Sequence, residues 1–126
     1  AVEAPRRECT AALRFQEPPE PDASAGVADE EPPRTAVSLV LICENEPTRR
    51  LAIGSEVGAC FAIEAGEGSL LLARCWWAGQ GALIDVRRDG DVLEVRRADI
   101  DEHTGTGSLE PASELPVPEN ADVRAL

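Results

Sequence analysis

The sequence predicts an all-β fold, a small disulfide-stapled β-sandwich or barrel-like domain with extended, proline-rich acidic arms at both ends. Apolar runs of strand length alternate with turn residues between positions 35 and 100. Four cysteines, an even number, occur in only 126 residues and indicate a disulfide framework. Six of the ten prolines lie in residues 1–34 and three in 101–126, so the prolines set the centre of the chain apart from its ends.

These differences divide the chain into three parts. Residues 1–34 form an N-terminal acidic, proline-rich arm with a candidate short strand at 9–15, residues 35–103 form the β domain, and residues 104–126 form an acidic C-terminal arm. Residues 1–34 hold four basic and eight acidic side chains, and residues 101–126 hold one and six. High net charge and low hydrophobicity leave little apolar surface to offset the entropy of ordering. We therefore expect residues 17–33 and 104–126 to be extended or disordered in isolation.

The central apolar runs predict strands at 35–44, 50–53, 59–65, 70–77, 82–88 and 92–100. The last two flank Asp89-Gly90, a strong signal for a two-residue hairpin turn. With that dipeptide as the loop, Val86 faces Leu93 on a side that should face the core. The opposite side is expected to be a solvated surface on which Asp85 lies opposite Glu94.

The cysteines can be paired from the preceding hairpin. A symmetric loop centred on Glu67-Gly68 places Cys60 directly opposite Cys75, which suggests that bridge and, with it, Cys9–Cys43. Spacing alone leaves all three connectivities open. The same register puts Phe61 and Trp76 on one side of the hairpin, which we expect to face the core.

Charge and cysteine content indicate a compartment and exclude some partners. The net charge of −12 argues against nucleic acid, and the absence of a long apolar run argues against direct membrane insertion. Because the first residue is Ala1 rather than methionine, the start is expected to be a processed end. Together with the even cysteine number, this favours a secreted, periplasmic or surface protein; four free thiols in a cytosolic protein are the alternative.

Residues with catalytic chemistry are few. His103 is the sole histidine and lies among acidic neighbours after the last predicted strand. No spacing of histidine, cysteine and carboxylate residues matches a catalytic or metal-binding motif, so we expect no catalytic residue, cofactor or metal ligand. A small hydrolase that depends on carboxylates remains the alternative from another functional class.

Trp76-Trp77 is the most informative dipeptide for function. Adjacent strand residues point to opposite sides of a sheet, so both indoles cannot enter one core. Tryptophan is enriched at the energetic centres of protein interfaces. We therefore predict a non-enzymatic, extracytoplasmic protein-binding module, an accessory or assembly subunit whose partner could have a basic surface; a secreted decoy or inhibitor that captures a basic signalling protein or enzyme is the alternative. The residues predicted to contact the partner are Trp77, Leu109, Leu115 and Val117.

Overall fold

A computed structural model describes residues 7–16 and 33–126, which form ten β-strands and no helix. The strands are β1 (Arg7–Gln16), β2 (Arg34–Cys43), β3 (Arg49–Val57), β4 (Ala59–Ile63), β5 (Leu71–Trp77), β6 (Gln80–Asp89), β7 (Val92–Asp101), β8 (Gly105–Thr106), β9 (Glu110–Pro116) and β10 (Ala121–Ala125). The predicted all-β, disulfide-stapled fold is confirmed.

The strands form two sheets that pack together. Sheet A has the order β10-β1-β2-β3, with β10 parallel to β1 and the other pairs antiparallel. In sheet B, β4 to β7 follow one another as antiparallel neighbours, and both β8 and β9 pair with β7. The chain passes from sheet A to sheet B at Gly58 and returns between β9 and β10, so each sheet is assembled mainly from consecutive hairpins.

Gly58 makes the first of these passages sterically possible. Its φ is +94°, and a Cβ atom there would lie 2.1 Å from the carbonyl oxygen of Trp76. The Thr35 hydroxyl donates a hydrogen bond to the Gly58 carbonyl at 2.7 Å, and the Gly58 amide donates one to the Pro33 carbonyl at 2.6 Å. The passage at Gly58 therefore holds the end of sheet A against the backbone of β5.

The core is aliphatic. Its largest fully buried side chains come from β2, β6 and β7, with no tryptophan or phenylalanine among them. β-Branched and leucine side chains suit the inner surfaces of two packed sheets because they fill the space without a polar atom. The fully buried aliphatic side chains that face the opposite sheet are Val37, Leu39, Leu41, Ile84, Val86, Leu93 and Val95.

Two disulfides link neighbouring strands. Cys9 bonds to Cys43 between β1 and β2, and Cys60 bonds to Cys75 between β4 and β5, with Cα separations of 4.1 and 4.0 Å. The hairpin register predicted from Glu67-Gly68 is present in the structure, since Cys60 lies directly opposite Cys75. Two disulfides in a chain this short are typical of extracytoplasmic proteins.

The C-terminal segment differs from the predicted arm. Residues 104–126 contain β8, β9 and β10, so a domain boundary after residue 103 does not correspond to the folded unit. Leu115 and Val117 belong to the core cluster, and the Val117 amide donates a 2.7 Å hydrogen bond to the Asp91 carbonyl. Proline and net charge suggested disorder, but prolines are compatible with edge strands, and apolar residues placed to face inward supply the burial that orders this segment.

At the other end, β1 extends over Arg7–Gln16, beyond the candidate strand at 9–15, and β2 already begins at Arg34. The remainder of the predicted N-terminal arm, residues 1–6 and 17–32, lies outside the described residues.

The last large hairpin also differs in detail. Its loop is Gly90-Asp91 rather than Asp89-Gly90, since Asp89 pairs with Val92 and the positive φ of 61° is at Gly90. Glycine at the first central position is the pattern of a type II′ turn, whereas Asp-Gly as the central pair favours type I′. The register shifts by two residues, which leaves the core-facing side unchanged. Asp85 now lies opposite Arg96, and Arg87 lies opposite Glu94.

Candidate functional site

The outer surface of sheet B carries two large aromatic side chains, Phe61 and Trp76. On β4, β5 and β6 the residues that alternate with the core positions point away from sheet A. Register brings them side by side, with Phe61 opposite Arg74 and Arg74 opposite Leu83. We call this surface the aromatic face and define it as Phe61, Ile63, Leu72, Arg74, Trp76 and Leu83.

This surface is the side of the hairpin that the sequence predicted to face the core, so that prediction was wrong. The core receives the opposite side, where the disulfide Cys60–Cys75 and Ala73 lie, and both Ala73 and Cys75 are fully buried. Phe61 is 48% exposed. Because neighbouring residues alternate between sides, inward disulfide sulfurs require outward aromatic residues on the same two strands.

Arg74 lies at the centre of the aromatic face. Its guanidinium carbon lies 4.7 Å from the ring centroid of Trp76, a cation–π geometry. Its Nε is buried without a hydrogen-bond partner, and no carboxylate of the described residues forms an ion pair with it. The aromatic face thus presents a cation held by an indole and lacking an anionic partner.

The charged residues beside this surface compensate one another. Asp85, 1% exposed, accepts a 2.6 Å hydrogen bond from Nε of Arg87, and Arg96 pairs with Glu94. The hydrogen bond from Arg96 to Glu94, together with the charge of that carboxylate, raises the pKa of Arg96 above its usual value. The predicted solvated surface therefore contains a buried carboxylate, and its ion pairs frame one side of the aromatic face.

The four residues predicted to contact a partner are not brought together. Trp77 is 44% exposed at the end of β5, and Leu109 is half-buried just before β9. Leu115 and Val117 are 6% exposed and pack in the core, so they cannot act as exposed anchors. Sequence reasoning missed Phe61, Arg74 and Trp76, although the inward placement of Cys60 and Cys75 could have identified them.

The only histidine of the chain is exposed. The side chain of His103 is 84% exposed, and its Nε2 lies 3.3 Å from a carboxylate oxygen of Glu102. Within residues 7–16 and 33–126, no group of three histidine, cysteine or carboxylate side chains is arranged to hold a metal ion. None of these residues belongs to a helix long and apolar enough to cross a membrane.

Comparison with family models, curated proteins and solved structures finds no match to this chain.

Proposed function

We propose that the protein is a non-enzymatic, protein-binding module that acts outside the cytoplasm as an accessory or assembly subunit, and that the aromatic face is its main contact surface. The observation that carries this proposal is the location of the aromatic side chains. Phe61, Trp76 and Trp77 all lie outside the hydrophobic core. Large apolar side chains grouped on a surface mark interaction sites in soluble proteins.

The composition of the face supports a protein partner. Tryptophan and arginine are enriched among the residues that dominate binding energy, and they combine broad contact area with few rotatable bonds or several hydrogen-bond donors. Arg74 adds specificity, because a partner acceptor placed against its guanidinium would replace water in a largely apolar setting. The paired charges around Asp85 would form part of the polar rim of such an interface.

A comparison of captured proteins tests the proposal. The wild-type protein, with both disulfides formed, is immobilised and exposed to the extracytoplasmic fraction of its source. A second column carries the Phe61→Ser, Trp76→Ser variant. We expect a defined partner on the first column and at least about tenfold less on the second, because loss of interface hot spots costs 2 kcal/mol or more.

Two controls keep the result interpretable. Ile42→Ser removes another exposed apolar side chain, located on sheet A, and should leave capture unchanged. Urea unfolding of the double variant should show an intact cooperative transition, because the replaced rings lie outside the core. Equal capture of the same proteins by the wild type and the double variant would contradict the proposal.

A further inference from the structure

The outer surface of sheet A concentrates positive charge in an otherwise acidic protein. The chain has 24 acidic and 12 basic side chains. Strand alternation nevertheless brings several arginines to one side of β1, β2, β3 and β10, opposite the side that faces the core. We call this surface the arginine face and define it as Arg14, Arg34, Arg50 and Arg124.

Several other arginines of the chain are paired within it. Arg7, Arg87 and Arg97, for example, each form an ion pair with a carboxylate. Within the described part of the chain, no residue of the arginine face has a carboxylate within ion-pair distance. This grouping leaves four guanidinium groups without an ion-paired carboxylate among the described residues, on a side of the sheet that also holds Glu8 and Asp122.

A cleft lies between two of these side chains. It has a volume of about 590 Å³, and both Arg14 and Arg50 line it. Ser38, on the intervening strand, lies directly opposite Arg14 and adds a hydroxyl group. Ala36, Ala52 and Gly54 also line the cleft, and no heavy atom lies within 4 Å of the position that a Cβ atom of Gly54 would take. A ligand in the cleft could therefore approach the backbone of β3 closely at Gly54.

We propose that the arginine face binds an acidic, extended segment of a partner protein, with Arg14 and Arg50 each holding one carboxylate. A guanidinium binds a carboxylate through two parallel hydrogen bonds, a geometry that an ammonium group cannot match. β1 and β3 are separated by two strand spacings, and Arg50 lies two residues along the strands from the position level with Arg14, so the two backbone positions are about 12 Å apart. This distance matches carboxylates four residues apart, which lie on the same side of an extended chain. Charge complementarity favours this ligand. The net charge of the whole chain predicts a basic partner, whereas the guanidinium groups of the arginine face favour an acidic one.

This site is separate from the aromatic face, since the two lie on the outer surfaces of different sheets. The inference therefore does not depend on the proposed function. A module with both sites can contact two proteins at once, an arrangement suited to an accessory subunit.

A blocked hexaglutamate peptide is the probe, titrated into the full-length oxidised protein by calorimetry. Saturable binding is expected for the wild type. We expect at least about tenfold weaker binding for Arg14→Gln, Arg50→Gln, because each change removes charge-assisted hydrogen bonds. The matched control is Arg7→Gln, Arg49→Gln, which changes the net charge equally at side chains already paired with Glu46. It should bind like the wild type, and a blocked hexaglutamine peptide should not bind.

Three outcomes would overturn the proposal. The first is equal affinity of the Arg14→Gln, Arg50→Gln variant and the wild type, and the second is no binding to the wild type. The third involves a chain in which the six acidic residues of 17–32 are replaced by their amides. Binding of the peptide only to that chain would show that a segment of the same chain, not a partner, is the acidic ligand.

Discussion

The two sheets are alike on their inner surfaces and different on their outer ones. Each inner surface is aliphatic and contains one disulfide between neighbouring strands. On the outside of sheet B, Arg87 and Arg96 are paired with carboxylates and the large apolar groups are exposed. On the outside of sheet A, Arg14 and Arg50 flank a cleft without carboxylate partners among the described residues.

This difference indicates which side chains stabilise the fold and which remain available for binding. On the outside of sheet B the charges of Arg87 and Arg96 are compensated by carboxylates, so the aromatic rings and the unpaired Arg74 are the groups available to a partner. On the outside of sheet A, by contrast, the guanidinium groups of Arg14 and Arg50 are the groups available to a partner. Substitutions of equivalent residues in the two sheets, compared by urea unfolding, test this difference.

Removal of the disulfides should have the largest effect and should affect the two sheets similarly. In the chain-entropy account, a bridge that closes 34 residues contributes about 4 kcal/mol and one that closes 15 residues about 3 kcal/mol. Urea unfolding of Cys9→Ala, Cys43→Ala and of Cys60→Ala, Cys75→Ala is expected to give losses in this order. A loss of stability in only one of the two double variants would show that the inner surfaces are not equivalent.

A smaller effect is expected at Gly81, which lies opposite Trp76 across the β5–β6 ladder. A Cβ atom at Gly81 would lie 1.9 Å from the carbonyl oxygen of Cys75, so alanine there must displace backbone. We expect Gly81→Ala to lower the free energy of unfolding by about 1–3 kcal/mol, the usual range for overpacking. Because the chain contains two tryptophans, both on β5, the same change should shift the tryptophan emission.

Gly66 provides the matched control for this prediction. It lies in the loop between β4 and β5, and no heavy atom lies within 4 Å of its Cβ position. Gly66→Ala should therefore change stability by less than about 0.5 kcal/mol. Equal losses for the two variants would mean that close approach to β5 does not explain the glycine at position 81.

The sequence predicts the fold class, both hairpins and the cross-strand position of Cys60 and Cys75 because these depend on local periodicity and turn residues. It does not predict which side of the Cys60 hairpin is buried, since either alternating set contains enough apolar residues. Sheet A, which covers the hairpin, is formed by strands distant in the sequence, so the buried side of the hairpin is determined by the packing of the two sheets. The ordered structure of β9 and β10 is not predicted for the same reason. The burial of Leu115 depends on packing against β7 and the opposite sheet, which are formed by residues distant in the sequence.

The candidate sites were predictable only in part. The outward position of one tryptophan follows from the adjacency of Trp76 and Trp77. The grouping of Arg14 with Arg50 does not, because these residues are 36 positions apart and meet only through the pairing of β1, β2 and β3. Net charge is a property of the whole chain, so it cannot show that one sheet surface has the opposite sign.

The same substitution at two arginines gives the smallest effect and tests the comparison of charges most directly. Arg87→Gln leaves the Asp85 carboxylate 1% exposed and without its closest cation. On a fully solvated surface, such as the sequence predicts for this side of the hairpin, the loss of an arginine would be nearly neutral. Because Arg87 is itself partly exposed and Arg96 lies opposite Asp85, water and the second guanidinium should limit the destabilisation to about 1–2 kcal/mol. Arg14→Gln removes no ion pair among the described residues and should change stability by less than about 0.5 kcal/mol. Urea unfolding of the two variants at neutral pH measures the difference. Equal losses would mean that the buried position of Asp85 creates no requirement for Arg87, and that the charges of the two outer surfaces contribute alike to stability.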